Sequence, residues 1–198
     1  QANADHARSR FSIQAGKPLL VVMGGSQGAK AINEALGPIL SLILQTAYVV
    51  HLTGTEGITD AQSIRQNLPT AMRKYYLPMK FLEAGISDLF LAADLVISRA
   101  GGSIHEFTAS GLPSLLIPGT YAGAHQRSNA VWLQNAGAAL VLEEERLSPE
   151  TLLREISNLL GDRTLLTRMA NAAAFLGRPD AADRVAEILT NLNTPRAA

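Results

Sequence analysis

Residues 17–36 of the chain, KPLLVVMGGSQGAKAINEAL, contain a short apolar run, a glycine-rich turn and then a stretch with helical periodicity. The run at 19–23 is continuously apolar, which is typical of a strand buried on both faces of a sheet. The turn at 24–28, GGSQG, consists of small and polar residues that favour a sharp change of direction. The stretch therefore predicts a strand–turn–helix unit, the repeating element of a parallel α/β sheet.

The same alternation continues along the chain. Strands are predicted at Leu19–Met23, Tyr48–Leu52, Tyr75–Leu82, Leu95–Ser98, Ser114–Ile117 and Ala139–Leu142. Helices are predicted at Ala29–Leu44, Thr59–Asn67, Ile86–Ala92, Ser103–Ser110, Gln126–Asn135, Pro149–Leu160, Leu165–Phe175 and Ala181–Leu192. This order predicts an α/β fold, a doubly wound parallel sheet with right-handed crossovers. Residues 1–16 are expected to be a linker, 17–192 the folded domain and 193–198 a tail.

Three predicted helices carry N-terminal signals. Residues 148–150, SPE, place a serine cap, a proline and an acid in succession. Thr59 with Gln62, and Ser103 with Glu106, have the spacing of capping boxes. Each box would fix a helix start without any ligand.

Composition excludes several classes of protein. Of the 198 residues, 17% are charged, against a usual share of about 25%, and the net charge is zero. A chain without a basic excess is not expected to bind nucleic acid. Because cysteine is absent, a disulfide framework, a thiolate nucleophile and a cysteine-ligated metal are excluded. Residues 35–55 are uncharged, but a helix followed by a strand explains them better than a membrane span does.

The GGSQG turn admits several interpretations. Met23 stands where a dinucleotide fingerprint needs its first glycine, and Ala29 separates Gly28 from Lys30 where a Walker loop needs G-K. The letters also match G-x-S-x-G, the nucleophile elbow of hydrolases, with Asp94 and His125 following in the required order. A plain tight turn, or a helix start that presents N–H groups and a hydroxyl to a phosphate, remain as alternatives.

Two further loops have a composition that suits phosphates or sugars. The segment 98–106, SRAGGSIHE, places two glycines before a helix with Glu106 in its first turn, and 125–130, HQRSNA, begins another helix. A capping box or a solvated loop would explain each one alone. Three such loops at successive strand ends favour a nucleoside-diphosphate ligand across the sheet edge. No D-x-D motif is present to hold a metal, so helix dipoles, amides and hydroxyls would stabilise the diphosphate.

These segments resemble the MurG family of glycosyltransferases. The matching stretches are GGSQGAKAIN (24–33), HLTG (51–54), ADLVISRAGG (93–102), the stretch 106–118, HQRSNA (125–130) and RPDAADRVAEIL (178–189). The family transfers N-acetylglucosamine from UDP-N-acetylglucosamine to the undecaprenyl-linked muramoyl-pentapeptide of peptidoglycan synthesis. The resemblance covers only the family's C-terminal half, a Rossmann-like domain of a GT-B enzyme. It implies that the acceptor site and the catalytic base lie in an N-terminal domain.

The resemblance also implies roles for individual residues. Ser26 would contact the diphosphate and the backbone of Leu82 the uracil edge. Glu106 would accept both ribose hydroxyls, while Gln126 with His125 would bind the sugar. The phosphate loop and the remaining donor-binding positions are Gly101, Gly102, Ser103, Ile104, His105 and Asn129.

Further expectations follow from the same resemblance. It implies no cofactor, and for the full-length protein a position on the cytoplasmic face of the plasma membrane. The isolated chain is expected to bind donor without catalysing transfer. The alternatives are a donor subunit for a dolichol-linked or diacylglycerol acceptor, and a nucleotide-sugar-binding module without catalysis.

Overall fold

The computed structural model describes residues 2–14, 16–24, 29–120 and 124–192. Within these residues, six parallel strands form one sheet in the order β3-β2-β1-β4-β5-β6. The strands are β1 (Leu19–Met23), β2 (Tyr48–Leu52), β3 (Tyr76–Met79), β4 (Leu95–Ser98), β5 (Ser114–Leu116) and β6 (Ala139–Val141). The expectation of a Rossmann-like, doubly wound parallel sheet is confirmed.

Helices and short 3₁₀ turns connect the strands. The helices are α1 (Ala2–Arg10), α2 (Lys30–Leu36), α3 (Leu40–Thr46), α4 (Gly54–Asn67), α5 (Ile86–Ala92), α6 (Ile104–Ala109), α7 (Ala124–Asn135), α8 (Pro149–Gly161), α9 (Arg163–Leu176) and α10 (Ala181–Leu192). The 3₁₀ turns are Gly37–Ile39, Arg73–Tyr75 and Glu144–Arg146. Of the helices in the described residues, none combines the length and the apolar character that a membrane span requires.

Strand β1 lies at the point where the strand order reverses. It pairs with β2 on one side, Met23 opposite Leu52, and with β4 on the other, Met23 opposite Ser98. The chain runs outward from β1 through β2 to β3 and then returns to place β4 beside β1. Loops that leave neighbouring strands at such a point diverge and open a crevice at the carboxyl edge, which is where doubly wound sheets bind ligands.

The core consists of two apolar layers, one on each face of the sheet. Alternate residues of β1 belong to different layers: Leu20 and Val22 pack with residues of α2, α3 and α8, whereas Leu19 and Val21 pack with residues of α5 and α6. Both faces of the sheet are therefore buried beneath helices, as the continuous apolar runs predict. Burial of each large side chain contributes about 1.5–3 kcal/mol, so the sheet is a rigid base for the loops at its edge.

Two helix predictions need correction. The helix predicted over Ala29–Leu44 is divided by the 3₁₀ turn at Gly37–Ile39, because Pro38 has no N–H to continue the ladder of hydrogen bonds. Helix α4 begins at Gly54, so Thr59 lies inside it and the predicted capping box with Gln62 does not form. The cap at Ser148 is confirmed, since its side chain accepts a hydrogen bond from the backbone N–H of Thr151.

The N-terminal segment is folded rather than extended. Helix α1 packs against α5, and its residue Ala7 and the following Phe11 are buried. The guanidinium of Arg8 donates to the carbonyl oxygen of Ala92 at 3.0 Å and to Asp94 Oδ2 at 3.1 Å. Part of the expected linker is therefore an element of the domain.

Candidate functional site

The loop between β4 and α6 lies at the carboxyl edge next to β1. A side chain added at Gly101 or Gly102 would meet no atom of the described residues within 4 Å, so these residues leave the space above the loop open. The N–H groups of Ile104 and His105 donate to the carbonyl oxygens of Gly101 and Gly102, at 3.3 and 3.2 Å. Among the described residues, the backbone N–H groups of 101–103 have no such acceptor. A ligand would therefore meet the amides of 101–103, whereas those of Ile104 and His105 are already used.

The predicted capping box of α6 is absent. Ser103 has helical backbone angles, φ −61° and ψ −13°, and its side chain makes no capping hydrogen bond. Glu106 is exposed, and within the described part of the chain its carboxylate has no hydrogen bond or ion pair. The interpretation of Ser103 and Glu106 as a cap is wrong, and the carboxylate is available to a ligand at the edge of the open loop.

Helix α7 brings its polar start to the same edge. Gln126 Oε1 accepts a hydrogen bond from the N–H of Gly119 at 3.0 Å. Asn129 Nδ2 donates to the carbonyl oxygen of Ala100 at 3.0 Å. Asn129 therefore joins α7 to the loop after β4, and His125 is exposed one turn earlier. Within the described part of the chain, the amide nitrogen of Gln126 has no hydrogen-bond partner, while Asn129 holds the loop in place.

A partly buried ion pair connects these loops, and the sequence analysis did not identify it. Arg99 pairs with Glu144, and each side chain is only 17% exposed. Glu144 Oε2 also accepts from the N–H and the hydroxyl of Thr120, both at 2.8 Å. Burial acts to raise the pKa of Glu144, but the hydrogen bonds from Arg99 and Thr120 outweigh it and hold the pKa below its ordinary value. The arginine two residues before a pair of glycines was a usable sequence signal, whereas nothing in the sequence marked its partner.

Leu82 lies in a small hollow at the ends of the first three strands. The hollow has a volume of about 170 Å³ and is lined by Met23, Gly24, Leu52, Gly54, Lys80, Phe81, Leu82 and Ile86. The ring of Phe81 is 57% exposed and lies 5.5 Å from the ammonium of Lys80. A flat, largely apolar ring with polar edges, such as a pyrimidine base, suits this lining.

A larger cavity of about 570 Å³ lies between α2 and α4. Asn33 and His51 are among its lining residues, and they are hydrogen bonded to each other at 2.9 Å. Because the fold itself pairs these polar groups, no buried side chain of the described residues is left unpaired in this cavity.

The hydrolase interpretation is contradicted by topology. Asp94 directly precedes β4, whereas His125 follows β5, so the two lie at opposite edges of the parallel sheet. A strand of four residues separates such edges by about 13 Å. Asp94 Oδ2 instead accepts hydrogen bonds from Arg8 and from the N–H of Leu19. Ser26, the proposed nucleophile and the proposed diphosphate contact, lies outside the described residues.

Curated relatives support the resemblance to MurG. A protein of Acetivibrio thermocellus named UDP-N-acetylglucosamine–N-acetylmuramyl-(pentapeptide) pyrophosphoryl-undecaprenol N-acetylglucosamine transferase is 34% identical over 100% of this chain and 54% of its own length. A protein of the same name from Gloeobacter violaceus is 43% identical over 87% of this chain and 47% of its own length. The chain thus spans about half the length of the curated relatives it matches.

Solved structures and a family model complete the comparison. Acinetobacter baumannii MurG has a TM-score of 0.75 and 27% identity, over 93% of this chain and 53% of that one. A Staphylococcus aureus MnaA–UDP complex shares the fold, with a TM-score of 0.69 and 15% identity over 94% and 48% of the two chains. The model of the glycosyltransferase family 28 C-terminal domain matches residues 19–185. The expected fold, the C-terminal half of a GT-B glycosyltransferase, is confirmed, and the chain belongs to the glycosyltransferase family 28 C-terminal domain family.

Proposed function

We propose that this chain is the UDP-N-acetylglucosamine-binding half of an inverting, metal-independent glycosyltransferase of peptidoglycan synthesis. The acceptor of the whole protein would be the undecaprenyl-diphosphate muramoyl-pentapeptide, bound by a separate N-terminal domain. The names of the relatives support this proposal. The observation that carries it is the open loop 101–103 with the unpaired carboxylate of Glu106 beside it.

Each part of the donor has a suitable partner at this edge. The amides of 101–103 suit a diphosphate, because unpaired backbone N–H groups near a helix start attract anions. The carboxylate of Glu106 suits the two neighbouring hydroxyls of a ribose, since an ionised carboxylate has several acceptor sites. The hollow at Leu82 suits uracil, and Gln126 with His125 suits the sugar hydroxyls. Ser26 is assigned to the diphosphate on the resemblance alone.

The chemistry divides between the two halves of such an enzyme. In the reaction, an acceptor hydroxyl attacks the anomeric carbon, its proton passes to a base, and UDP leaves. This chain would stabilise the departing diphosphate through backbone amides and hydroxyls. Positioning of the second substrate, which can contribute about 7–11 kcal/mol, and the base, about 10²–10⁴-fold in rate, would come from the other domain. That domain would also bring the protein to the cytoplasmic face of the plasma membrane.

Calorimetric titration of the 198-residue chain tests the proposal. UDP-N-acetylglucosamine and UDP are expected to bind, UDP-glucose to bind more weakly, and EDTA to leave these affinities unchanged. The chain alone is expected to transfer no sugar to the lipid acceptor. Absence of UDP binding would refute the assignment of the donor site, and loss of binding in EDTA would refute metal independence.

A transfer assay with an added N-terminal half tests whether the chain is part of a catalyst. Adding the N-terminal half of the Gloeobacter violaceus relative is expected to give transfer to the undecaprenyl-linked acceptor. Donor binding without transfer in that mixture, or transfer only to a diacylglycerol or dolichol-linked acceptor, would contradict the proposed reaction.

A further inference from the structure

Glu144 joins the ends of three neighbouring strands. It lies just beyond β6, and its carboxylate accepts hydrogen bonds from Thr120, beyond β5, and from Arg99, beyond β4. Arg99 in turn donates to the carbonyl oxygen of Ile117 at 3.0 Å. One carboxylate therefore holds together the starts of the two loops that carry the candidate donor site.

The segment that Glu144 holds has few other attachments. Ile117 and Pro118 are buried, but Gly119 is half-buried and Thr120 is exposed, so the chain leaves the core at this point. In the described residues, the side-chain hydrogen bonds to Gly119 and Thr120 come from Gln126 and Glu144. Loss of the carboxylate would free Thr120 and leave Arg99 without its ionic partner in a half-buried position.

The base and ribose positions do not depend on this tie. Leu82 follows β3, on the far side of β1 from β6. Glu106 lies on α6, which is fixed by its buried residues Ile104 and Phe107. A change at Glu144 is therefore expected to disturb the diphosphate and sugar end of the site and to leave the nucleoside end intact.

We propose that Glu144 is a positioning residue for the nucleotide sugar: it holds segment 117–120 and Arg99 together so that the diphosphate loop 101–103 and the sugar-binding start of α7 face the same ligand. This inference rests on the proposed donor site. A carboxylate that accepts several hydrogen bonds holds its donors more firmly than a neutral acceptor does. A supporting side chain of this kind determines how precisely the groups that contact the ligand are placed.

Glu144→Gln tests the proposal, with Glu145→Gln as the matched control. Both are acids of the same 3₁₀ turn, but Glu145 is exposed and has no ion pair among those found in the described residues. Affinities for UDP and for uridine, which lacks the phosphates, are measured by direct and competitive calorimetry, together with the thermal midpoint. Glu144→Gln is expected to weaken UDP binding about 10-fold, the loss of one hydrogen bond to a charged group, and to leave uridine binding unchanged. Glu145→Gln is expected to match the parent chain.

The outcomes separate this inference from the proposed function. If the parent binds UDP and Glu144→Gln binds it equally well, or loses UDP and uridine affinity in equal proportion, the positioning role is overturned. If the parent binds no UDP, the donor site itself is refuted. If Glu144→Gln fails to fold, Thr120→Val is measured instead, because it removes one hydrogen-bond donor to the Glu144 carboxylate. A UDP affinity of Thr120→Val equal to that of the parent would overturn the positioning role of Glu144.

Discussion

Asn33 Oδ1 and His51 Nε2 lie 2.9 Å apart, joining helix α2 to strand β2. Asn33 Nδ2 donates to the carbonyl oxygen of Thr53 at 3.0 Å, so its oxygen faces the ring and accepts a hydrogen bond from Nε2. His51 Nδ1 then accepts from the hydroxyl of Tyr76 at 2.9 Å. Both ring nitrogens are thus used by one neutral tautomer, with the proton on Nε2.

The buried imidazole makes stability depend on pH. His51 is 3% exposed, and burial lowers its pKa from 6.5 to about 4. As the pH falls below about 6.5, the unfolded chain takes up a proton that the folded chain excludes, so the free energy of unfolding falls. We expect a loss of about 2 kcal/mol from this group between pH 7.5 and 5, most of it below pH 6.5, and a contribution to the slope that fades above pH 7.

Urea denaturation at pH 7.5, 6.5 and 5 measures this dependence, with His51→Gln as the control. The variant is expected to be less stable than the parent at pH 7.5, because it cannot reproduce both hydrogen bonds. Its further loss on acidification is expected to be smaller by about the same 2 kcal/mol. Parallel pH profiles for parent and variant would contradict a neutral, buried His51.

Gly57 allows α4 to approach the Asn33 amide. A Cβ at this position would lie 2.4 Å from Asn33 Nδ2 and 3.2 Å from Thr53 Cβ. Because the amide is held by both His51 and Thr53, it cannot move aside without breaking a hydrogen bond. Gly57→Ala is therefore expected to lower the free energy of unfolding by about 1–3 kcal/mol, although alanine usually favours a helix.

The control for this change is Gly161→Ala. Gly161 is the last residue of α8, and a Cβ there would meet no atom within 4 Å. This variant is expected to be as stable as the parent or more stable, by up to about 1 kcal/mol. Both variants are compared by urea denaturation; equal stability of Gly57→Ala and the parent would show that the Asn33 amide is free to move.

The central strands could be predicted from sequence because they are buried on both faces. The predicted bounds of β1, β2 and β4 agree with the structure, and their residues are all buried. Strand β3 ends at Met79 instead of Leu82, and it contains Pro78, which a strand at the edge of a sheet tolerates. Because β3 lies at the edge of the sheet and is only partly buried, its apolar residues do not mark where the strand ends.

Hydrogen bonds and ion pairs between polar residues distant in the chain could not be predicted from the sequence. Arg8 and Asp94 are 86 residues apart, and Arg99 and Glu144 are 45 apart. No periodicity connects such pairs, because they meet only after the sheet has formed. The same limit explains why α1 was expected to be a linker: its residues are mostly polar and show no helical face. The box at Thr59 failed because spacing alone does not fix where a helix starts, and the box at Ser103 failed because Ser103 has helical backbone angles although α6 begins directly after it.

The attachment of α1 can be tested by comparing two arginines. Arg8 is 17% exposed on its side chain and binds Asp94 and the carbonyl oxygen of Ala92, whereas Arg10 is 50% exposed and pairs with Asp88. Arg8→Ala is expected to cost about 2 kcal/mol of unfolding free energy, because the carbonyl oxygen of the buried Ala92 and the carboxylate of Asp94 lose a charged donor. Arg10→Ala is expected to cost less than about 1 kcal/mol. Denaturation midpoints equal to that of the parent for both variants would mean that the contacts of Arg8 do not stabilise the domain.

The carboxylate of Glu106 gives the sharpest test of the donor site. It lies in the first turn of α6 without a capping role, so replacing it with glutamine is expected to leave the thermal midpoint unchanged. As a ribose ligand, glutamine loses the charge and one of two equivalent acceptors, and UDP affinity is expected to fall about 10-fold in calorimetry. Glu56→Gln is the matched control, because Glu56 is also an exposed acid in the first turn of a helix, α4. It removes the same charge and is expected to bind UDP as the parent does. If both variants bind UDP equally well, Glu106 does not contact the nucleotide, and the ribose must be held by another group at this edge.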